Sequence, residues 1–403
     1  MALMPVADAL AKVLEDAGPL ATETVGLEEA CGRVLAQDLA ARRTQPPADV
    51  SAMDGYAVRA ADVTQRPVTL TVIGEIAAGR PFTGRIEAGQ AARIFTGGVM
   101  PDGADSVVIQ EDTQRHGDAV VINYVPNAGA HIRRAGIDFK EGATLLTRGQ
   151  RLNERDLMVA AAMNYPQLPV YRRPRLHVFG TGDELVPPGT QPQAGEIVYS
   201  NGYGLAALAR QAGAEVSHDG IVRDDLDAII AAVRRARDGG ADILATTGGA
   251  SVGDYDLVQQ ALAAEGMQLT FWKLALRPGK PMMRGRLGRM HVLGLPGNPV
   301  SSFVCSFLFL LPLIRRLSGL SDVETCPEPA ILGRALRAND VRAEYLRATL
   351  SRNHDGDLVA TPFTSQDSSL MATLSRAECL VIRPPHAPAA QAGERCDIVK
   401  LGL

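Results

Sequence analysis

Four short stretches carry residue types that could handle an anionic ligand. TTGGASVGDYD (246–256) sets Gly248, Gly249 and Gly253 among hydroxyl side chains that include Ser251, and brings in Asp254 and Asp256 at its end. Glycines let backbone N–H groups approach a phosphate closely, and a following helix N-terminus adds to the attraction. The two acids are odd company for a bare phosphate. They make sense if Mg²⁺ bridges carboxylates and phosphate oxygens. The stretch lacks the Gly-Lys-Ser/Thr ending of a Walker A loop and is not a G-x-G-x-x-G fingerprint. GTGDE (180–184) offers Gly182, Asp183 and Glu184, and reads either as a ligand loop or as a β-turn with solvated acids. KLALRPGKP (273–281) presents Lys273, Arg277 and Lys280 around a Pro-Gly turn that ends in Pro281. Three cations on a stiff turn form an anion site, or else a solvated loop. GLPGNPVS (294–301) holds Pro296, Asn298 and Ser301. Asn298 can cap a helix that starts at Pro299, and the free N–H groups of that helix start would equally suit an anion.

The elements around these stretches alternate strand and helix. Strands are expected at 176–179, 215–222, 242–246, 271–275 and 291–295, and helices at 203–212, 224–237, 257–265 and after Pro299. That alternation predicts βαβ units and a parallel-rich sheet with helices on both faces. Ligands of such sheets bind beyond the carboxyl ends of the strands, where all four stretches fall. Upstream, residues 1–45 read as helical with a stop at Pro46-Pro47, and residues 150–165 return to helix with Asn153 as cap. Between them, short β runs at 68–73, 92–95, 105–109 and 119–123 predict a small, mostly β domain. The tail from about 325 predicts a second small β domain, barrel-like, with runs at 358–361, 379–382 and 397–400.

Composition narrows the class. The chain has 403 residues, 46% hydrophobic and 21% charged, enough for several packed cores. Lys and Arg number 41 against 45 acids, a net charge of -4, and aromatics are 4%. No nucleic-acid partner is expected from that balance. The start lacks a basic n-region, and the longest apolar run, 303–314, is short for a membrane span and contains Pro312. No membrane association is therefore expected. Five cysteines without a C-x-x-C pair imply reduced thiols in a cytoplasmic protein. No Ser/His/Asp or Cys/His constellation stands out.

Taken in order, SAMDGYA (51–57), RIFTGGVMPDGADSVV (93–108), TGDEL (181–185), IVRDD (221–225), TTGGASVGDYD, FWKLALRPGKP (271–281) and GLPGNPVS closely resemble the molybdopterin molybdenumtransferase family. The resemblance spans nearly the whole chain. It implies a helical linking domain from 1–45 with 146–172, an inserted β domain at 46–145, a molybdopterin-binding α/β domain at 173–322 and a C-terminal β-barrel domain at 323–403. It implies a homodimeric enzyme that inserts molybdate into adenylylated molybdopterin with Mg²⁺ and releases AMP. Implied partners are the molybdopterin-adenylylating protein and apo-molybdoenzymes or their chaperones.

Residue by residue, the resemblance assigns Glu184, Asp224 and Asp256 to the pterin–nucleotide site, with Asp254 beside them and Glu184, Asp254 and Asp256 as metal ligands. It assigns Lys273, Arg277, Lys280 and Pro281 to the anion site, and Ser301 to the helix opening. Asp54 and Thr96 are the inserted domain's contribution, made across the dimer. Arg347 and Ser368 are the C-terminal domain's contacts with the oxyanion. Four positions depart from the family pattern: Arg277 where Lys is usual, Ala250 for Val, Tyr199 for Asp, and Asp367 for the Gly before Ser368, which shifts the register there by up to one residue. A nucleotide-processing enzyme built on the same α/β domain and a non-catalytic scaffold of the gephyrin type are the alternatives. SAMDGYA and the C-terminal domain oppose the first, and the intact acid and basic clusters oppose the second.

Overall fold

The computed structural model describes residues 3–248 and 257–402. Its centre is a six-stranded sheet in the order Glu215–Val222, Arg175–Thr181, Ile243–Thr247, Met290–Leu295, Pro281–Leu287, Gln268–Lys273. The first four strands run parallel. Pro281–Leu287 is antiparallel to both of its neighbours. This strand is absent from the sequence reading, because Pro281, Gly285 and two arginines break its apolar pattern. The strand order reverses at Arg175–Thr181. The chain first crosses to Glu215–Val222 on one side, then to Ile243–Thr247 on the other. Such a reversal opens a crevice beyond the carboxyl ends of the two strands.

Helices Asn201–Gln211 and Pro299–Leu317 cover one face of this sheet, and Leu226–Asp238 and Leu257–Ala264 the other. In the helix from Pro299 to Leu317, one turn widens over Ser306–Leu310. Pro312 has no N–H to close the regular ladder there. The unbroken 19-residue helix corrects the expectation of a run too short to span a membrane: its length and composition suffice. It is nevertheless 78% buried within the protein and forms the spine of the main core.

Residues 1–45 are not the helical segment expected. Among the described residues of this segment, Val6–Leu14 is the one α-helix, and Leu27–Glu29 adds a single 3-10 turn. Gly18-Pro19 stops propagation, and the β-branched Thr22–Gly26 pairs antiparallel with Gln167–Tyr171. Helix Glu154–Ala162 begins as expected at Asn153, which accepts the Arg155 and Asp156 N–H groups while Asp156 accepts the Asn153 N–H. The residues between form a sheet in the order Ser106–Ile109, Gly55–Val58, Gln90–Ile94, Val68–Ile76, Ala119–Ile122, Thr113–His116. At the C-terminus, Glu328–Leu332, Ala343–Arg352, Leu358–Pro362, Cys379–Arg383 and Arg395–Lys400 close into a five-stranded barrel. Leu380 and Val399 of this barrel and Ala9 and Val13 of the first helix join the core of the α/β sheet. All five cysteines are free thiols.

Candidate functional site

The crevice at the strand-order reversal holds a cavity of about 370 Å³. Thr181 and Thr247, at the carboxyl ends of adjacent strands, form its floor together with Gly248, and Glu184 enters from the loop after Thr181. Gly248 has φ +87°, and a Cβ there would lie 2.2 Å from the Thr181 carbonyl oxygen. Only glycine lets these two loops pass so closely. The opposite wall is the start of the long helix, Gly297, Asn298 and Pro299, held by a 2.7 Å bond from Asn201 Nδ2 to the Gly297 carbonyl. Ser369 and Met371, carried by the C-terminal domain, cover the mouth.

Asn298 stands at the helix's N-cap position, but its side chain makes no capping bond. This corrects the expected cap. Its Oδ1 is buried without a hydrogen-bond partner, while the residue lines the cavity. A buried acceptor left unpaired costs about 1–3 kcal/mol, a cost this helix start carries. Asp224 is tied to the floor by the Thr181 hydroxyl, which donates to its Oδ1 at 3.1 Å. The neighbouring Asp225 caps helix Leu226–Asp238 by accepting the Ala228 N–H at 3.0 Å. The acid pair of IVRDD thus divides between site and scaffold.

The basic turn is built between domains. Leu276–Arg277 pairs parallel with Ala343–Glu344 of the barrel. Arg277 forms ion pairs with Asp340 and Glu344, both at 3.1 Å. Its charge is matched within the chain. Lys273 and Lys280 have no ion-pair partner among the described residues, and Lys280 is exposed. Pro281 opens the next strand opposite Lys273. Arg347 is 1% exposed, and its guanidinium donates to the carbonyls of Asp367 at 2.9 Å and Leu370 at 3.0 Å. It braces the loop that carries Ser368 and Ser369. The Ser368 carbonyl accepts the Val300 N–H at 3.2 Å, and the residue lining the cavity is Ser369, whose hydroxyl donates to Asp367 Oδ1 at 2.6 Å. Pro296 and Ser301 are buried beside the same helix start. Gly182 and Asp183 form the turn leading into Glu184, and a Cβ on Gly182 would meet the Glu184 carboxylate at 2.6 Å.

Asp54 and Thr96 lie apart from this cavity. Asp54 Oδ1 accepts both the Thr96 N–H at 2.7 Å and the Thr96 hydroxyl at 2.8 Å. These bonds, the backbone one first, hold the carboxyl below its ordinary pKa. Among the described residues no hydrogen bond or ion pair joins residues 46–145 to residues 173–322. Gly249, Ser251, Gly253, Asp254 and Asp256 lie outside the described residues, as does Ala250.

As for a metal, the described residues contain no group of three or more Asp, Glu, His or Cys side chains placed to hold one. Mg²⁺ at a phosphate needs fewer protein ligands. One or two carboxylates with substrate oxygens and water suffice, and Glu184 and Asp224 are hard oxygen donors of that kind. Sequence reasoning assigned no role to Tyr199, Ser200 or Asn201 in the cavity wall. Their signal was the polar Tyr-Ser-Asn turn before a helix, which reads as ordinary capping chemistry.

Comparison with known proteins follows the same divisions. Residues 4–164 match the MoeA N-terminal region (domain I and II), residues 177–316 a probable molybdopterin binding domain, and residues 329–401 the MoeA C-terminal region (domain IV). The molybdopterin molybdenumtransferase of Haemophilus influenzae is 33% identical over 98% of both chains. That of a Nostoc species is 43% identical over 74% of this chain and 70% of its own. A crystal structure of the molybdopterin biosynthesis MoeA protein of Pyrococcus horikoshii superposes with a TM-score of 0.83 at 28% identity, covering 99% of this chain and all of that one. These matches run through the α/β domain, both flanking β regions and the full-length fold: the chain belongs to the molybdopterin molybdenumtransferase family.

Proposed function

We propose that the protein is a transferase that inserts molybdate into adenylylated molybdopterin and releases AMP in a Mg²⁺-dependent step. The observation that carries this reading is the cavity at the sheet's strand-order reversal, lined by Glu184 and Asn298. In this reading Glu184 and Asp224 hold the Mg²⁺, and the Thr181 hydroxyl fixes the orientation of Asp224. When bound, that ion supplies positive charge at the phosphoanhydride as AMP leaves. Lys273 and Lys280, without ion-pair partners among the described residues, draw molybdate toward the site. Arg277 and Arg347 act through the segments they brace, and Ser369, whose hydroxyl donates to the Asp367 carboxylate at 2.6 Å, stands at the mouth.

The proposal extends to the assembly and its setting. Asp54 and Thr96 are assigned to a composite site in a homodimer, because they lie outside the cavity of their own chain. The four domains are drawn at 1–45 with 146–172, 46–145, 173–322 and 323–403. The enzyme works in the cytoplasm, taking its substrate from the molybdopterin-adenylylating protein and passing product to apo-molybdoenzymes or their chaperones. Neither alternative reading is favoured, since family matches extend on both sides of the α/β domain.

The decisive experiment supplies adenylylated molybdopterin and molybdate to the purified protein, with and without Mg²⁺. AMP release and molybdenum incorporation should both depend on molybdate. AMP release without metal incorporation points to a nucleotide-processing enzyme, and neither activity to a scaffold.

A further inference from the structure

The inserted β domain holds a cation that none of the roles above uses. Arg93 lies in strand Gln90–Ile94, directly opposite Tyr56 in the strand register. Its guanidinium donates from Nη1 to the Gly55 carbonyl at 3.0 Å and from Nη2 to Gln110 Oε1 at 2.7 Å. The Gln110 N–H in turn donates to the Asp54 carbonyl at 3.0 Å. Two successive carbonyls, those of Asp54 and Gly55, are thus held, the first through Gln110 and the second directly. The guanidinium is itself fixed between rings. Its central carbon lies 4.7 Å from the Phe95 ring centroid and 5.4 Å from that of Tyr56, within the range of cation–π attraction.

The gripped segment has little slack. A Cβ on Gly55 would sit 2.0 Å from the Val108 carbonyl oxygen, so the chain passes hard against the neighbouring strand. Ser51 laces the Asp54 turn to the Thr96 turn, its carbonyl accepting the Gly97 N–H and its N–H donating to the Gly98 carbonyl, both at 2.9 Å. Asp54 Oδ1 takes both Thr96 donors, while Oδ2 has no hydrogen bond among the described residues. The carboxyl is held below its ordinary pKa by the Thr96 N–H first and the Thr96 hydroxyl next, and the nearby Arg93 charge adds to them. Asp54 is therefore an ionised carboxylate with one anchored oxygen, on a main chain that Arg93 keeps in place.

We infer that Arg93 is a positioning residue, which fixes the Asp54 carboxylate for the reaction by gripping the main chain at Asp54 and Gly55. This inference rests on the reading of Asp54 as one half of a site shared between two chains. It adds that the half-site includes a residue that need not touch the substrate.

The test combines turnover with subunit exchange. Arg93→Met keeps the stem and removes the planar fork. It should lower molybdate-dependent AMP release by roughly 10- to 100-fold, the cost of a misplaced catalytic group. Arg93→Lys keeps the charge but can reach only one of the two acceptors, so it should recover part of that loss. If Arg93→Met does not fold, Arg93→Lys carries the remaining arms alone. Mixed with Glu184→Gln under conditions of exchange, either variant should regain activity at about a quarter of the sites, because mixed dimers then contain one unaltered site. Mixed with Asp54→Ala it should regain none, because both changes strike the same half of the site. Restoration with Asp54→Ala would overturn the inference, as would wild-type turnover in both Arg93 variants. So would a failure with Glu184→Gln while the control pair, Asp54→Ala with Glu184→Gln, is restored. Failure of the underlying reading looks different: if Asp54→Ala turns over as the unaltered protein does, or if the control pair exchanges subunits without regaining activity, the shared site falls and this inference with it.

Discussion

Replacing Arg347 separates two ways in which a buried cation can serve an anion site. The side chain rises from strand Ala343–Arg352 and spends its guanidinium on the Asp367 and Leu370 carbonyls. The same loop grips the Arg347 backbone, since Gln366 accepts its N–H and donates to its C=O, both at 3.0 Å. Beyond this clasp, Ser369 and Met371 reach the cavity and the Ser368 carbonyl meets the Val300 N–H. Arg347→Ala removes two charge-assisted bonds worth about 1.5–3 kcal/mol each and leaves their acceptors unpaired. Local opening of residues 364–371 should become easier by roughly 3–5 kcal/mol. That is a loss of hydrogen-exchange protection of roughly 10²-fold or more, up to the limit set by global unfolding. Ligand affinity should fall with it, because the cavity loses its cover. Arg347→Lys keeps the charge but has no planar fork to bridge both carbonyls. It should recover only part of the protection and part of the affinity. A side chain that instead touched the bound oxyanion would give the opposite pattern: unchanged exchange in the ligand-free protein, and affinity largely rescued by lysine. Unchanged exchange of residues 364–371 in Arg347→Ala would refute the brace.

Three other perturbations test the remaining steps. Glu184→Gln and Asp224→Asn should lower molybdate-dependent AMP release by roughly 10²-fold while leaving the melting temperature within about 2 °C, because both side chains are exposed loop acids; wild-type turnover in both variants would remove them from the metal site. Mixing inactive Asp54→Ala and Glu184→Gln proteins under conditions of subunit exchange should restore about a quarter of the sites if each site is shared across a two-fold axis; inactivity despite proven exchange would mean that one chain builds the whole site. The His291 ring, buried and flanked by Arg284 and Arg286, has its pKa pushed down to about 3 by burial first and the two guanidinium charges next. An unfolded histidine titrates near 6.5, so between these values the unfolded chain binds one more proton and stability falls as the pH drops, by up to about 4–5 kcal/mol. Denaturant midpoints measured from pH 7 down to 4 should therefore decline less steeply in His291→Gln than in the unaltered protein, and parallel slopes would sink the assignment.

The parts of the fold legible in the sequence were those whose signal is local. Asn153 followed three residues later by Asp156 specified the start of a helix, and the strand at 243–247 declared itself by an unbroken buried run. Strand Pro281–Leu287 was hidden because its two arginines are not on a solvated face. Arg284 is 1% exposed and meets His291 across a sheet neighbour, a pairing that depends on contacts between strands. The helical reading of residues 1–45 failed for a related reason. Thr22–Gly26 has no regular partner nearby in sequence and becomes a strand only by pairing with Gln167–Tyr171, nearly 150 residues on.

The site shows the same division between chemistry that spacing reveals and chemistry that tertiary contacts assign. Charge type and turn residues marked Lys273, Arg277 and Lys280 as equals. The fold gives Arg277 to two carboxylates of the barrel and leaves the lysines without such partners among the described residues, so one motif supplies both a domain tie and a candidate anion site. Arg347 underwent a similar reassignment, since a cation in the middle of strand Ala343–Arg352 cannot announce whether it will meet solvent or loop carbonyls. Asn298 moved the other way. Its spacing before Pro299 reads as a helix cap, yet its side-chain oxygen is left unpaired at the cavity wall. A cap bond would have added stability to the helix start. The fold forgoes it and leaves the acceptor buried and unpaired where the strand ends, the helix start and the C-terminal loop converge.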